Sequence, residues 1–144
     1  MKKNTLVLFG DIKYGYGNKL YEYIKNNSSK DVYYVDGTIS NKNRDYYKQC
    51  MEDDDSGNTV IVASINTFGE GIDLKNLWAI FLVDTSKSDR IVRQICGRGL
   101  RLYPGKDKVI LFDFVDDLRY SLDPRKRYKD NYLWKHGQQR KKIY

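Results

Sequence analysis

Five short, largely apolar runs separated by longer polar stretches constrain this chain more than any other feature. They are Thr5–Phe9, Asp31–Val35, residues 59–63, Ala79–Val83 and residues 108–112. A half-buried strand would alternate apolar and polar residues, whereas these runs are nearly continuous, as strands buried on both faces are. The stretches between them carry a helical period. Leu20, Tyr21 and Ile24 mark a helix over 18–25, and Ser40 is placed to cap one running through Tyr46, Tyr47 and Met51. Ser86 or Ser88 can cap another that carries Ile91, Val92 and Ile95. Strands alternating with helices predict an α/β fold with a mostly parallel sheet covered on both faces. Right-handed crossovers then gather the loops that follow the strands along one edge, where open α/β sheets bind ligands. Asp123-Pro124 breaks the pattern before a last helix over about 126–142, with Tyr132, His136, Arg140 and Ile143 on its packed side. Residues 1–118 are therefore expected to form one domain, with 119–144 as a basic C-terminal helix packed on it.

Composition removes several function classes. The chain has 144 residues, enough for a single core. No apolar run approaches the ~18 residues of a membrane span, and 5–9 is too short for a signal peptide's apolar segment. No membrane partner is expected. Cys50, Cys96 and His136 are too few for a disulfide scaffold or a zinc centre, and they fit a reducing, cytoplasmic setting. The formal charge of +7 is unevenly placed. Residues 119–144 hold nine Lys/Arg against two Asp/Glu, while the remainder holds seventeen of each sign. Such a basic tail suits either a polyanion partner or a solvated helix.

Two stretches carry chemistry. In Gln94-Ile95-Cys96-Gly97-Arg98-Gly99-Leu100-Arg101, two arginines three residues apart follow a glutamine and a glycine. A planar, permanently charged guanidinium suits a phosphate whose charge grows during transfer. On a helix Gln94, Arg98 and Arg101 fall at i, i+4 and i+7, roughly one face, while Ile91, Val92 and Ile95 face the sheet. The glycines at 97 and 99 can end that helix early. The second stretch leaves an apolar strand at Ser64, crosses a loop containing Gly69 and Gly71, and closes on Asp73. Ser64 and exposed amides there can meet a phosphate, and Asp73 can accept from an arginine or a ribose.

The Q-x-x-G-R-x-x-R spacing resembles motif VI of superfamily 2 helicases. The stretch from Val60 to Asp73 resembles their motif V, with Ser64 where many members have threonine. Leu6 to Lys13 is similar to motif IV, and Val35-Asp36-Gly37-Thr38 with Arg44 resembles the strand–glycine–helix element between motifs IV and V. The matches run over about 5–117 and resemble the second RecA-like domain, in the branch of phage UvsW-like and type III restriction-like enzymes. The ending from Tyr132 to Tyr144 resembles the helix that closes the domain in that branch.

The resemblance implies a RecA-like three-layer α/β/α fold. It implies that Arg98 and Arg101 neutralise charge on the γ-phosphoryl group of ATP, that Gln94 orients an arginine or senses the nucleotide, and that Gly69, Gly71, Asp73 and Gly97 border the nucleotide. Gly10, Lys13, Gly37 and Ser64 would grip the backbone of one DNA or RNA strand. ATP with Mg2+ would be held mainly by a separate N-terminal RecA-like domain, since no phosphate loop is present here. The implied setting is the cytoplasm of a bacterium or infected host. The chain opens directly before motif IV, and so reads as part of a longer polypeptide or of a naturally split protein.

Several look-alikes fail on spacing. Gly15-Tyr16-Gly17-Asn18-Lys19 lacks the phosphate-loop pattern and has Leu20 at the magnesium-binding hydroxyl position. Val109 to Asp113, with Asp116 and Asp117, is similar to a Walker B strand but has no phosphate loop to serve, so a structural role is expected. Glu52 to Asp55 reads as a solvated helix end. Asp84 can act near a cleft or cap the next helix. Cys96 reads as packing, His136 as packed or solvated, and Tyr33, Tyr34, Tyr46 and Tyr47 as core or core edge. Two rival functions remain at this point: a stand-alone nucleic-acid-binding module with a retired motor fold, and a protein-interaction domain whose tail docks an acidic partner.

Overall fold

The computed structural model describes residues 3–10, 15–69, 73–83, 89–117, 119 and 131–143. Its strands are β1 (Thr5–Phe9), β2 (Asp31–Val35), β3 (Thr59–Ser64), β4 (Ala79–Val83) and β5 (Ile110–Asp113). They form one sheet in the order β2-β3-β1-β4-β5, every pair parallel. The expected strands are all present; the fifth begins two residues later than the apolar pattern placed it. Helices α1 (Tyr16–Asn26), α2 (Asn41–Glu52), α3 (Ile65–Gly69), α4 (Asp89–Gly99) and α5 (Tyr132–Arg140) complete the fold.

Strand alternation sorts the core into two faces. Leu6, Leu8, Ile61, Ala63, Ile80 and Leu82 point to one side and meet Met51, Phe68, Val92 and Ile95 from α2, α3 and α4. Val7, Phe9, Val60 and Val62 point to the other and meet Leu20, Tyr21 and Ile24 of α1. The handedness of crossovers explains the division. The connection from β1 to β2 moves across the sheet in one direction, and the three later connections move in the opposite one, so α1 lies on the face opposite α2, α3 and α4. The expected cover of both faces is incomplete among the described residues. On the α1 face, Phe112 and Phe114 at the β5 side remain 43% and 53% exposed.

Local chemistry fixes the helix ends. Ser40 Oγ accepts from the Asn43 amide, as its cap position predicts. Gly17 lies against Phe9, and a Cβ there would come within 2.2 Å of that ring, so the glycine reflects close packing rather than phosphate binding. The expected cap residues Ser86 and Ser88, and Asp84, lie outside the described residues. Glu52 to Asp55 is more than a solvated end: Asp54 accepts from Ser56, Asn58 and Thr59, while Glu52 accepts from the Lys75 and Asn76 amides. Tyr46 is 61% exposed and is not core, although Tyr33 and Tyr47 stack at 4.8 Å.

The final helix corrects the expectation most. It begins at Tyr132, capped by Asn131, whose side chain accepts from the Trp134 amide. Its packed side carries Gly137 and Arg140; Tyr132 is 80% exposed. Arg140, which the sequence pattern places on the packed side, is indeed buried, at 1% exposed. It donates from Nε and Nη2 to the Asp113 carboxylate at 2.8–3.1 Å, which gives Asp113 a structural role. A Cβ on Gly137 would stand 2.5 Å from Val115, so α5 lies as close as a glycine permits. Removing one member of such a pair leaves the other charge buried and uncompensated. Arg140→Ala should lower the unfolding free energy by about 3 kcal/mol in a urea titration, whereas a loss below about 1 kcal/mol would mark the pair as a surface contact.

Candidate functional site

Because all five strands are parallel, every strand delivers its following loop to the same edge. In register, Phe9 pairs with Ser64 and Val83, and Val35 with Ala63. Gly10, Gly37 and Ser64 therefore sit at the ends of adjacent strands β1, β2 and β3. With strands about 4.8 Å apart, the three form a short row along the carboxyl edge. Lys13, the fourth expected nucleic-acid contact, lies outside the described residues.

The turn after β2 is held by a network. Asp36 accepts from the Thr38 amide at 2.8 Å, the Thr38 hydroxyl at 2.6 Å and the Tyr34 hydroxyl at 3.0 Å. Arg44 donates from Nη2 to the Asp36 carbonyl oxygen at 3.0 Å. Gly37 is left exposed at the apex, with open space where a side chain would stand. Burial alone would raise the Asp36 pKa, but the bonds from Thr38 and Tyr34 and the Arg44 charge outweigh it and hold the carboxyl below its ordinary value. Burial and the Asp36 bond push Tyr34 up to about 12. The sequence pattern contained Asp36 beside Gly37 and Arg44 but did not show that it anchors the turn.

At β3 the expected glycine loop starts instead as the short helix α3. Ser64 is 1% exposed, donates to Thr67 Oγ1 at 2.7 Å and accepts from the Thr67 amide at 3.3 Å. Its hydroxyl thus caps α3. Gly69 closes α3, and Gly71 lies outside the described residues.

Helix α4 presents the arginines. Val92 and Ile95 are buried against the sheet, while Gln94 and Arg98 are half-buried one turn apart. Gly97 lies within the helix, with open space beside it, and the helix ends at Gly99. Arg101 therefore stands just past the helix. Arg98 Nη1 donates to the Phe68 carbonyl oxygen of α3, and its guanidinium lies 5.0 Å from the centre of the Phe68 ring. Arg101 pairs with Asp73, the two side chains being 45% and 32% exposed. The second Asp73 oxygen, Oδ1, is buried and has no hydrogen-bond partner. Two segments remote in sequence, 64–73 and 94–101, are thus joined by both arginines. Phe68, which no sequence pattern marked, provides the surface on which Arg98 rests.

The family model for the helicase conserved C-terminal domain matches residues 2–103 of this chain. The chain belongs to the helicase conserved C-terminal domain family. Among relatives of this family, the ATP-dependent DNA helicase uvsW of Enterobacteria phage T4 is 34% identical over 139 residues, covering 94% of this chain and 27% of its own length. The putative ATP-dependent helicase IRC3 of Saccharomyces cerevisiae is 33% identical over 113 residues, covering 78% of this chain and 16% of its own. The chain thus spans little more than a quarter of the first relative. The crystal structure of T4 UvsW superposes with a TM-score of 0.74 at 31% identity, over 99% of this chain and 29% of that one. Domain 2 of the DEAD-box helicase Mss116p, solved with an RNA duplex, gives 0.62 at 15% identity over 78% of this chain and 42% of that one, and shares the fold. The expected RecA-like α/β/α fold, as the second such domain of a superfamily 2 helicase, is therefore the one observed.

The turns at the two ends of the sheet carry an acid dependence. Asp36 and Asp54 both lie below the ordinary 3.8, Asp54 because the Ser56 and Thr59 hydroxyls and nearby amides outweigh its burial. Depressed carboxyl groups contribute stability that is complete above the unfolded value and lost as pH falls through the folded one. Urea titrations should show unfolding free energy level above about pH 5 and falling below it. Asp36→Asn and Asp54→Asn should each flatten that fall; unchanged pH profiles would remove these carboxylates as its source.

Proposed function

We propose that this chain is the C-terminal motor half of an ATP-dependent superfamily 2 DNA or RNA helicase or translocase, supplying arginine fingers and contacts to a nucleic-acid backbone. One observation carries the reading: Arg98 and Arg101 meet the Ser64–Asp73 segment, beside a buried carboxylate oxygen without a partner. The donor set suits a nucleotide. Guanidinium groups match phosphate oxygens, and the unpaired Asp73 oxygen suits a hydroxyl donor such as a ribose. Among the described residues, no three His, Cys, Asp or Glu side chains cluster to hold a metal. Magnesium would belong to an N-terminal RecA-like domain that also bears the phosphate loop.

Bound ATP would supply the γ-phosphoryl group whose transfer to water drives the motor. Arg98 and Arg101 would stabilise the charge that grows on that group, acting from the wall opposite the phosphate loop. Gln94, one turn before Arg98, would keep the guanidinium oriented or report on the nucleotide. Gly69, Gly71, Asp73 and Gly97 would border the nucleotide. Gly10, Lys13 and Gly37 would approach the backbone of one strand, with Ser64 shaping α3 beside them. Backbone contacts position a strand and carry little base selectivity. Opening and closing of the cleft between the two domains would move this row along the strand.

The test joins the chain to its N-terminal RecA-like domain and replaces Arg98 or Arg101 with alanine. Nucleic-acid-stimulated ATP turnover should fall by about 10³-fold or more, with nucleotide affinity largely kept. Loss of affinity in proportion to turnover would make the arginines simple binding groups. A stand-alone binding module would have no turnover to lose. The present chain without that domain should not hydrolyse ATP, and steady turnover by it would contradict the two-domain pocket.

A further inference from the structure

The exposed side of α5 has no part in the site described above, yet its chemistry is specific. Tyr132, Lys135 and Gln139 on α5 and Lys142 in the turn directly after it follow one another at three- and four-residue spacings, and all four are exposed. The opposite side is docked through Gly137 and the buried Arg140. The helix therefore cannot turn its basic stripe inward. Tyr132 is 80% exposed and meets the His136 ring edge-on at 6.1 Å, so its outer face is presented rather than packed.

Position adds a second argument. Arg140 holds Asp113, Gly137 abuts Val115, and Arg119 lies 3.6 Å over the Trp134 ring. As the chain leaves β5 from 113 to 119, its partners run back along α5 from 140 to 134. The helix is antiparallel to that exit, and its N-terminal half lies alongside the chain that has left the carboxyl end of β5, two strands along the sheet from β1 and Gly10. The charge excess of the whole chain resides in residues 119–144.

We propose that α5 is a second nucleic-acid contact, in which Tyr132 stacks on an unpaired base while Lys135 and Lys142 neutralise neighbouring phosphates. An exposed aromatic ring beside spaced cations is the arrangement that holds single strands without sequence preference. A protein partner with an acidic surface would use the lysines and leave the ring without a role. The proposal rests on the nucleic-acid reading above and extends the strand's path from the row of strand ends onto the C-terminal helix.

The test is fluorescence anisotropy with a labelled oligothymidylate and the whole chain over about 50–200 mM salt. Replacing Lys135 and Lys142 with glutamine should reduce the log–log salt slope by about 1.4, two contacts at ~0.7 each. Removing the same charge at the amino edge, Lys25→Gln with Lys108→Gln, should leave the slope unchanged. Tyr132→Ala should weaken binding roughly tenfold at an unchanged slope, and Tyr132→Phe should restore it. Equal losses in both lysine pairs, or full affinity in Tyr132→Ala, would overturn the assignment of α5 while the strand-end contacts stand. No binding by the unaltered chain at low salt would overturn the nucleic-acid reading itself.

Discussion

Every functional feature of this domain depends on the parallel direction of its five strands. In a parallel sheet each return connection must cross to the far edge before the next strand begins, so the loops that leave the strands all collect at the carboxyl edge. Gly10, Gly37 and Ser64, which are separated by dozens of residues in sequence, become neighbours for this reason alone. The same geometry brings α3 and α4 to one face, since the crossovers from β3 to β4 and from β4 to β5 share a direction. Only then can an arginine on α4 reach the backbone of α3.

That reach makes the edge a connected unit. Arg98 ties α4 to the Phe68 carbonyl, and Arg101 ties the end of α4 to Asp73. Beneath them Ser64 and Thr67 fix the start of α3, while Asp36 fixes the neighbouring turn through Thr38, Tyr34 and Arg44. Polar groups on this edge are therefore of two kinds. Those with short, buried bonds hold the backbone in place, and those still open to solvent remain able to meet a ligand. Ser64 belongs to the first kind by its burial; Arg101 belongs to the second by its exposure.

The strands were legible because continuous apolar runs have few alternatives, and four of the five begin where the pattern placed them. The apolar run includes Lys108 and Val109 in the fifth strand, and Val109 is half-buried, but ladder pairing with β4 begins only at Ile110. The arginine spacing marked the stretch that resembles motif VI, and its helical part was visible from Ile91, Val92 and Ile95. Other features depended on tertiary partners that no local pattern contains. Two glycines near Ser64 concealed a short helix whose cap is the Ser64–Thr67 pair. Arg140 could be placed on the packed side of the last helix, but its partner Asp113, twenty-seven residues away, could not be read from the pattern. Tyr132 falls on the expected packed stripe, yet the docking of Gly137 and Arg140 turns it outward.

Two arginine–aspartate pairs in this chain show how burial divides one chemistry into two roles. Arg140 and Asp113 are almost removed from solvent, with Arg140 donating from two nitrogens. Breaking them would strand a charge, at a cost of about 3–5 kcal/mol, so the pair suits a permanent clamp for α5. Arg101 and Asp73 are partly exposed, and a pair in such a position contributes only about 0–1 kcal/mol. A guanidinium held so lightly can exchange its carboxylate for a phosphate without much loss, because charge-assisted bonds to the new partner are at least as strong. The domain thus buries one arginine–aspartate pair, which holds its C-terminal helix in place, and leaves the other partly open to solvent at the strand edge.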